Sequence, residues 1–205
     1  MKLSSSLLAL IPLAIGVAAL SGRAGVLVED KFTALNREHR DLSPSRGIWN
    51  IADGMATCTQ DDALYKKNQD HGPVIWYDVA FTDGTVRFAY KPQKTKAFFF
   101  TLNNERGHVF RFVQNDAGLS VRGWPTPGPG AKPVSYLPPG TKTPALRHGE
   151  WAQVELKFEG NRCVLSIGDF KQTLEHPAIA QTKNKLGLGF SFGALSVRDV
   201  LVITP

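Results

Sequence analysis

The sequence is poor in the signals that announce chemistry. It holds only two cysteines, Cys58 and Cys163, in 205 residues, and neither cysteine nor histidine spacing forms the ligand pattern of a zinc site. A Ser/His/Asp arrangement has no strand-to-helix nucleophile elbow to support it. No Glu-x-Asp-x-x-Glu run supplies the carboxyl pair, roughly 5 to 9.5 Å apart, that an ordinary glycosidase needs. The 24 Lys and Arg outnumber the 18 Asp and Glu, but they form no concentrated basic stripe. Lys91, Lys94 and Lys96 share one loop and read as a solvated turn, which excludes nucleic acid as the expected partner. No uninterrupted helical periodicity follows residue 24, so a helical class is excluded as well.

One long apolar run does occur, and it is at the N-terminus. Lys2 precedes Leu7–Leu20, and Gly22-Arg23-Ala24 offers a small-x-small cleavage site before Gly25. The run is shorter than the roughly 20 residues of a spanning helix. Residues 1–24 are therefore expected to be a signal peptide, giving a secreted or periplasmic protein with no stable membrane span after cleavage. The +6 formal charge then falls by two, with Lys2 and Arg23. What remains, 25–205, suits one well-buried domain.

The composition of that remainder, with 42% hydrophobic residues, 19 Gly and 13 Pro in the whole chain, favours many short strands over long helices. Val154, Leu156 and Phe158 alternate with polar neighbours, Glu159-Gly160-Asn161 turns, and Cys163, Leu165 and Ile167 alternate again: an antiparallel hairpin. Leu186, Leu188, Phe190 and Phe192 alternate with Gly187, Gly189, Ser191 and Gly193. Such a strand has one face almost bare of side chains, which either lies close under another layer or lines an open groove.

Further strands are expected at Val26–Phe32, in a hairpin over 47–59 turned by Asp53-Gly54, at Val74–Phe81 turning through Thr82-Asp83-Gly84 into Thr85–Tyr90, in a hairpin of Ala97–Leu102 with His108–Val113, at Leu119–Arg122 and at Ser196–Ile203. Asn36–Arg46 and Asp61–Pro73 read as polar loops. The stretch 123–144 is about half Gly and Pro and cannot pair in a central sheet, so it is an extended loop of the length that is usually functional. The class that follows is all-β, a two-sheet antiparallel jelly-roll sandwich of the concanavalin A-like lectin and glucanase type.

Two strand cysteines in an exported chain are compatible with a Cys58–Cys163 disulfide. It would close a loop of roughly 100 residues, worth about 4.7 kcal/mol in the chain-entropy model; the alternative is two small buried hydrophobes. Asp61, Asp62, Asp70 and His71 gather calcium-ligand chemistry in one loop without the ligand ladder of an EF-hand. An ordinary loop is expected there, with calcium as the alternative, and no other cofactor is implied. Trp124 and Tyr136 in the Pro-rich loop offer aromatic faces on which a sugar ring can stack; otherwise both pin the loop to the sheet.

Glu29-Asp30-Lys31-Phe32, the stretch from Gly47 through Ile48-Trp49-Asn50-Ile51-Ala52-Asp53-Gly54 to Met55, Gly149-Glu150-Trp151, Glu159-Gly160-Asn161, Leu186-Gly187-Leu188-Gly189-Phe190 and Val197-Arg198-Asp199-Val200 together resemble the 3-keto-disaccharide hydrolase family, a laminin G-like jelly roll. The resemblance spans nearly all of 25–205. Departures from it fall at Val197–Val200 and at Gly168-Asp169. It implies a secreted bacterial protein that binds or acts on glycans, and it rests mostly on turn and core residues.

A 3-keto sugar needs different catalysts from an ordinary glycoside, because the ketone acidifies the neighbouring C–H. Elimination then takes one base and a cation or donor for the enolate. The candidates are His71, Asp78, Glu105, His108 and Arg111, with His148 also available and Arg106, Trp124 and Tyr136 as substrate-binding residues. By strand parity His108 and Arg111 fall on opposite faces and serve together only if a bulge intervenes. Two other readings stand beside the enzyme: a non-catalytic glycan-binding module using Trp124, Tyr136 and the bare face at Gly187–Gly193, and a purely structural envelope protein. The partner in the first two cases is a carbohydrate, and the domain is expected to be a monomer.

Overall fold

The strands in chain order are β1 (Gly25–Asp30), β2 (Arg40–Asp41), β3 (Asn50–Ala52), β4 (Met55–Thr59), β5 (Val74–Phe81), β6 (Gly84–Gln93), β7 (Ala97–Asn104), β8 (Gly107–Asn115), β9 (Gly118–Gly123), β10 (Val134–Ser135), β11 (Ala152–Glu159), β12 (Arg162–Ile167), β13 (Phe170–Glu175), β14 (Lys183–Ser191) and β15 (Ala194–Thr204). The structure is a computed structural model that describes residues 25–33 and 40–205. The expected signal peptide and part of the loop after β1 lie outside the described residues.

Pairing is antiparallel and builds two sheets. An eight-stranded sheet runs β13-β12-β11-β6-β15-β4-β3 with β1 also on β15, and a seven-stranded sheet runs β10-β9-β8-β7-β14-β5-β2. The two pack as a jelly-roll sandwich. Each strand's alternation puts its large residues between the sheets: Phe88, Tyr90, Leu156, Phe158 and Leu165 from the first, Tyr77, Phe98, Phe100, Phe110, Phe112, Leu186 and Leu188 from the second, all 3% exposed or less. Tyr90 stacks on Phe98 at 4.0 Å and 8°, and Phe88 on Phe100 at 5.6 Å and 13°, across the interface. Each such side chain contributes about 1.5–3 kcal/mol by burial, and an aromatic pair about 0.5–1.5 kcal/mol more.

The β11–β12 and β7–β8 hairpins form as their patterns predict. The β3–β4 turn places Asp53 at φ 52° and Gly54 at φ 70°, as an Asp-Gly type I′ turn requires. The structure differs from the sequence reading in several places. Lys91 lies inside β6, so only Lys94 and Lys96 belong to the turn that follows. The Thr82-Asp83 connection carries the chain from β5 in one sheet to β6 in the other, so these strands are not paired. Its carbonyl at Thr82 and that of Ile179 each accept from the buried Lys183 ammonium at 2.6 Å, which sits over the Phe158 ring at 4.7 Å. Burial brings that amine down to about 8.

The polar stretch after β4 contains a helix, α1 (Asp62–Lys67), because Asp61 caps the Leu64 N–H and acids precede bases along the turn. Phe192 leaves the inner row: it lies at φ 61° in the β14–β15 turn with its ring 5.2 Å from Tyr65. Finally, Cys58 and Cys163 are both free and buried. They belong to one sheet, on β4 and β12 with three strands between them. That spacing is roughly 19 Å, far beyond the reach of a disulfide. Burial holds the Cys58 thiol up at about 11 and raises that of Cys163 further.

The sheets are also joined by a buried ion pair. Asp30, 0% exposed at the end of β1, accepts from Arg40 Nη1 at 2.5 and 2.7 Å, from the Tyr77 hydroxyl at 3.1 Å and from the Phe32 N–H at 2.7 Å. Asp30 thus links the eight-stranded sheet to β2 and β5 of the other. Asp30→Ala strands the Arg40 charge and is expected to cost about 3–5 kcal/mol in urea unfolding. Asp30→Leu combined with Arg40→Met is expected to cost less than Asp30→Ala alone.

Candidate functional site

The seven-stranded sheet presents its outer face as ordered rows. Register aligns Asp78 on β5, Lys185 on β14, Asn103 on β7 and His108 on β8 in one row. The next row is Asp41 on β2, Trp76, Gly187, Thr101, Arg111 and Arg122, and beyond it lie Gly189, Phe99, Val113 and Ser120.

The bare face of β14 is occupied by its neighbours' rings. A Cβ on Gly187 would sit 2.5 Å from Trp76 Cζ3 and 2.9 Å from Thr101 Cγ2; one on Gly189 would sit 2.3 Å from Phe99 Cζ and 2.7 Å from the Pro73 carbonyl oxygen. The two glycines therefore let Trp76 and Phe99 fold over the strand from opposite sides. Lys185 Nζ lies 5.4 Å from the centre of the Trp76 ring, and the Arg111 guanidinium lies 4.7 Å from that of Phe99.

A bulge changes the parity of β8. Leu102 faces Phe110 while Asn103 faces His108, so Val109 is the extra residue. Its carbonyl accepts from the Trp124 N–H at 3.2 Å. In consequence His108 and Arg111 both stand on the outer face.

The local hydrogen bonds orient the imidazole. Asn103 Oδ1 accepts from the Thr101 hydroxyl at 3.1 Å and from His108 Nδ1 at 2.7 Å, which fixes the proton on Nδ1 and leaves the lone pair on Nε2. Burial, and then the Arg111 charge, lower the His108 pKa from its ordinary 6.5. The Trp124 ring lies 5.1 Å from the imidazole and borders the site.

The other candidates disperse. Asp78 is exposed at the far end of the His108 row, three strand spacings or roughly 14 Å away. Glu105 and Arg106 are exposed in the β7–β8 turn, and Arg106 lines a shallow cleft of about 460 Å³ with Pro125–Lys132 of the Pro-rich loop. His71 binds the carbonyls of Asn68 and Gln69 through Nδ1 at 3.0 and 2.9 Å beyond α1. His148 meets Asp116 at 3.1 Å.

Tyr136 is not a sugar platform: it is 6% exposed, packs 5.9 Å from Phe110 and 5.1 Å from His176, and fills the space beside Gly123. The reason is the missing Gly123 side chain, which lets the loop's ring drop into the core. In the Asp61–Pro73 stretch, read as an ordinary loop with calcium as the alternative, Asp61 caps α1 and Asp70 pairs with Lys66 at 2.7 Å. Among the described residues no three His, Cys, Asp or Glu side chains converge as a metal site.

Trp76, Phe99, Asn103, Arg122 and Lys185 belong to the face but were not singled out by sequence. Alternation within Val74–Phe81 and Ala97–Leu102 already put Trp76 and Phe99 on a wet face, where large aromatics are the exception. Gly189-Phe190-Ser191-Phe192-Gly193 also spells the letters of a nucleophile elbow. It joins β14 to β15, strand to strand, and lacks the following helix that defines such an elbow.

Two antiparallel sheets packed face to face define a jelly-roll sandwich. No family model and no curated protein matches the chain. Solved structures do. The carbohydrate binding module CBM66 from Bacillus subtilis superposes with a TM-score of 0.56 at 9% identity, covering 79% of this chain and 93% of that one. A tetrameric galectin from the ball sponge Cinachyrella sp. gives 0.50 at 12% identity over 62% and 97%. At such identities the likeness defines the fold.

Gly189→Ala is expected to displace Phe99 and meet the Pro73 carbonyl, costing about 1–3 kcal/mol of stability by overpacking. Gly160→Ala, with open space around the position, lies at a left-handed turn and serves as the comparison for backbone strain without overpacking; chemical denaturation of both checks the difference.

Proposed function

We propose that the outer face of the seven-stranded sheet is a carbohydrate-binding surface of a secreted or periplasmic protein. One observation carries this reading. Trp76 and Phe99, laid over Gly187 and Gly189, share the outer face with the hydrogen-bonding side chains of Asn103, His108, Arg111 and Lys185, with Lys185 beside Trp76 and Arg111 beside Phe99. A pyranose has an apolar C–H face that packs on an aromatic ring and an edge of hydroxyls that needs donors and acceptors, so it matches both parts. The fold shared with a module named for carbohydrate binding supports the same reading. The apolar Leu7–Leu20 run before a small-x-small site supports export.

The test is isothermal titration and affinity electrophoresis against a panel of soluble polysaccharides. Trp76→Ala and Phe99→Ala are each expected to weaken binding about tenfold or more, about 1.4 kcal/mol, with the far-ultraviolet spectrum unchanged. A folded protein that binds no glycan overturns the reading.

A second reading, hydrolysis of 3-keto-glycosides by elimination, is favoured by the bulge at Val109, which brings His108 and Arg111 to one face. His108 Nε2 takes the proton from the carbon beside the ketone. That C–H electron pair becomes the double bond to the anomeric carbon, and the glycosidic oxygen leaves with its own bond pair and takes a proton from water. Arg111 holds the negative charge on the ketone oxygen, and addition of water to the double bond completes hydrolysis.

Because the folded protein disfavours imidazolium, neutral His108 persists as pH falls through 6.5. The acid limb of the kcat/KM profile is therefore expected below pH 6.5, and His108→Gln is expected to abolish sugar release from a 3-keto-glucoside. The same depressed pKa makes His108 stabilising above its unfolded value, a contribution lost as pH falls through the folded one. A purified protein that binds glycans and releases no sugar from that substrate eliminates the enzymatic reading.

A further inference from the structure

Arg111 and Arg122 stand directly opposite each other on β8 and β9. Like charges at directly opposed positions of an antiparallel pair are destabilising, and here the contact of Arg111 with the Phe99 ring offsets them without neutralising either charge. Among the described residues neither guanidinium makes an ion pair or a side-chain hydrogen bond, and Arg111 Nε is buried with no partner. The carboxylates on this face stand well away from the pair: Asp41 ends the same row on β2, four strands from β8, and Asp78 belongs to another row three strands from β8. Lys185 adds a third cation on the near side of Asp78. Burial, and after it the Arg122 charge, lower the Arg111 pKa, so the pair holds its charge at a cost.

Packing on Phe99 accounts for the Arg111 guanidinium, but facing it with a second guanidinium has no structural benefit that the surroundings reveal. Arg122 is exposed, and β8 and β9 are already paired through their backbones. The arrangement suits a group with several negative oxygens, which a planar guanidinium fork engages with two parallel hydrogen bonds. Phe99, under the Arg111 guanidinium at 4.7 Å, supplies the adjoining apolar surface.

Resting on the carbohydrate-binding reading above, we infer that the glycan this face takes is anionic: a sugar bearing a carboxylate or sulfate ester, held by Arg111 and Arg122 with its ring beside Phe99. The charged substituent accepts from the accessible edges of the two guanidinium groups and screens them from each other.

The experiment compares binding of polygalacturonate, its fully methyl-esterified form, dextran sulfate and neutral dextran. The charged polymers are expected to bind at least about tenfold more tightly than their uncharged counterparts, the size expected of a hydrogen bond to a charged group. A preference for polygalacturonate assigns the carboxylate and a preference for dextran sulfate the sulfate ester. Arg111→Gln and Arg122→Gln are each expected to remove most of the difference. Lys67→Gln with Lys171→Gln, which removes two exposed charges elsewhere, is expected to preserve it.

Free Arg122→Gln is also expected to melt at a higher temperature than the parent, because the opposition is gone; a purely structural arginine would melt lower. Equal binding of acid and ester overturns the anionic assignment and leaves the carbohydrate surface standing. Equal loss in the lysine control, or a lower melting temperature for Arg122→Gln, also overturns the assignment. No binding to any polymer overturns both.

Discussion

The two faces of β14 are the constraint on which this molecule turns. Leu186, Leu188 and Phe190, each 0% exposed, pack against the opposite sheet, while Gly187 and Gly189 leave the outer surface without side chains. A single strand thereby anchors the core and clears the ground for the site. Any side chain on the outer row would lift Trp76 or Phe99 off the sheet, because both rings lie closer than a Cβ allows. Core packing and surface recognition are coupled through the pleat, since a one-residue slip of β14 would exchange the leucines for the glycines.

The bulge in β8 works on the next strand pair in the same way. One extra residue at Val109 turns His108 toward the face that Arg111 already occupies, and it leaves Phe110 and Phe112 in the core. The displaced backbone is not left unsatisfied, because Trp124 donates to the Val109 carbonyl and is itself brought beside His108. Asn103 then completes the arrangement by fixing the imidazole tautomer. Basic groups gather here without nearby carboxylates, in contrast to the opposite sheet, where Arg87 meets Glu155 at 2.6 Å and Glu155 meets Lys157 at 3.2 Å. There the charges are balanced across neighbouring strands, as a solvated sheet face requires.

Much of the architecture was legible because a sheet's period of two is written locally. The β11–β12 hairpin, the β7–β8 hairpin and the Asp53-Gly54 turn need only their own residues and neighbours. The α1 helix was obscured by its shortness, and only the Asp61 cap marks it. Cys58 and Cys163 looked pairable because spacing along a chain carries no information about how many strands separate two positions in a sheet. Tyr136 looked like a platform because a proline-rich loop reads as exposed; what buried it was the space beside Gly123, over ten residues earlier.

The sequence by itself determined the strand alternation, the hairpin turns, the all-β class and the unusual glycine row of β14, because each depends on contacts a few residues apart. Only the tertiary structure decided which strands share a sheet, that the chain crosses between sheets after β5, that Trp76 and Phe99 cover the glycine row, and that His108, Arg111 and Arg122 meet on one surface. Those outcomes depend on registers between strands distant in the chain and on a single bulged residue. Neither leaves a mark in local periodicity, since the bulge at Val109 reverses parity without altering any residue type.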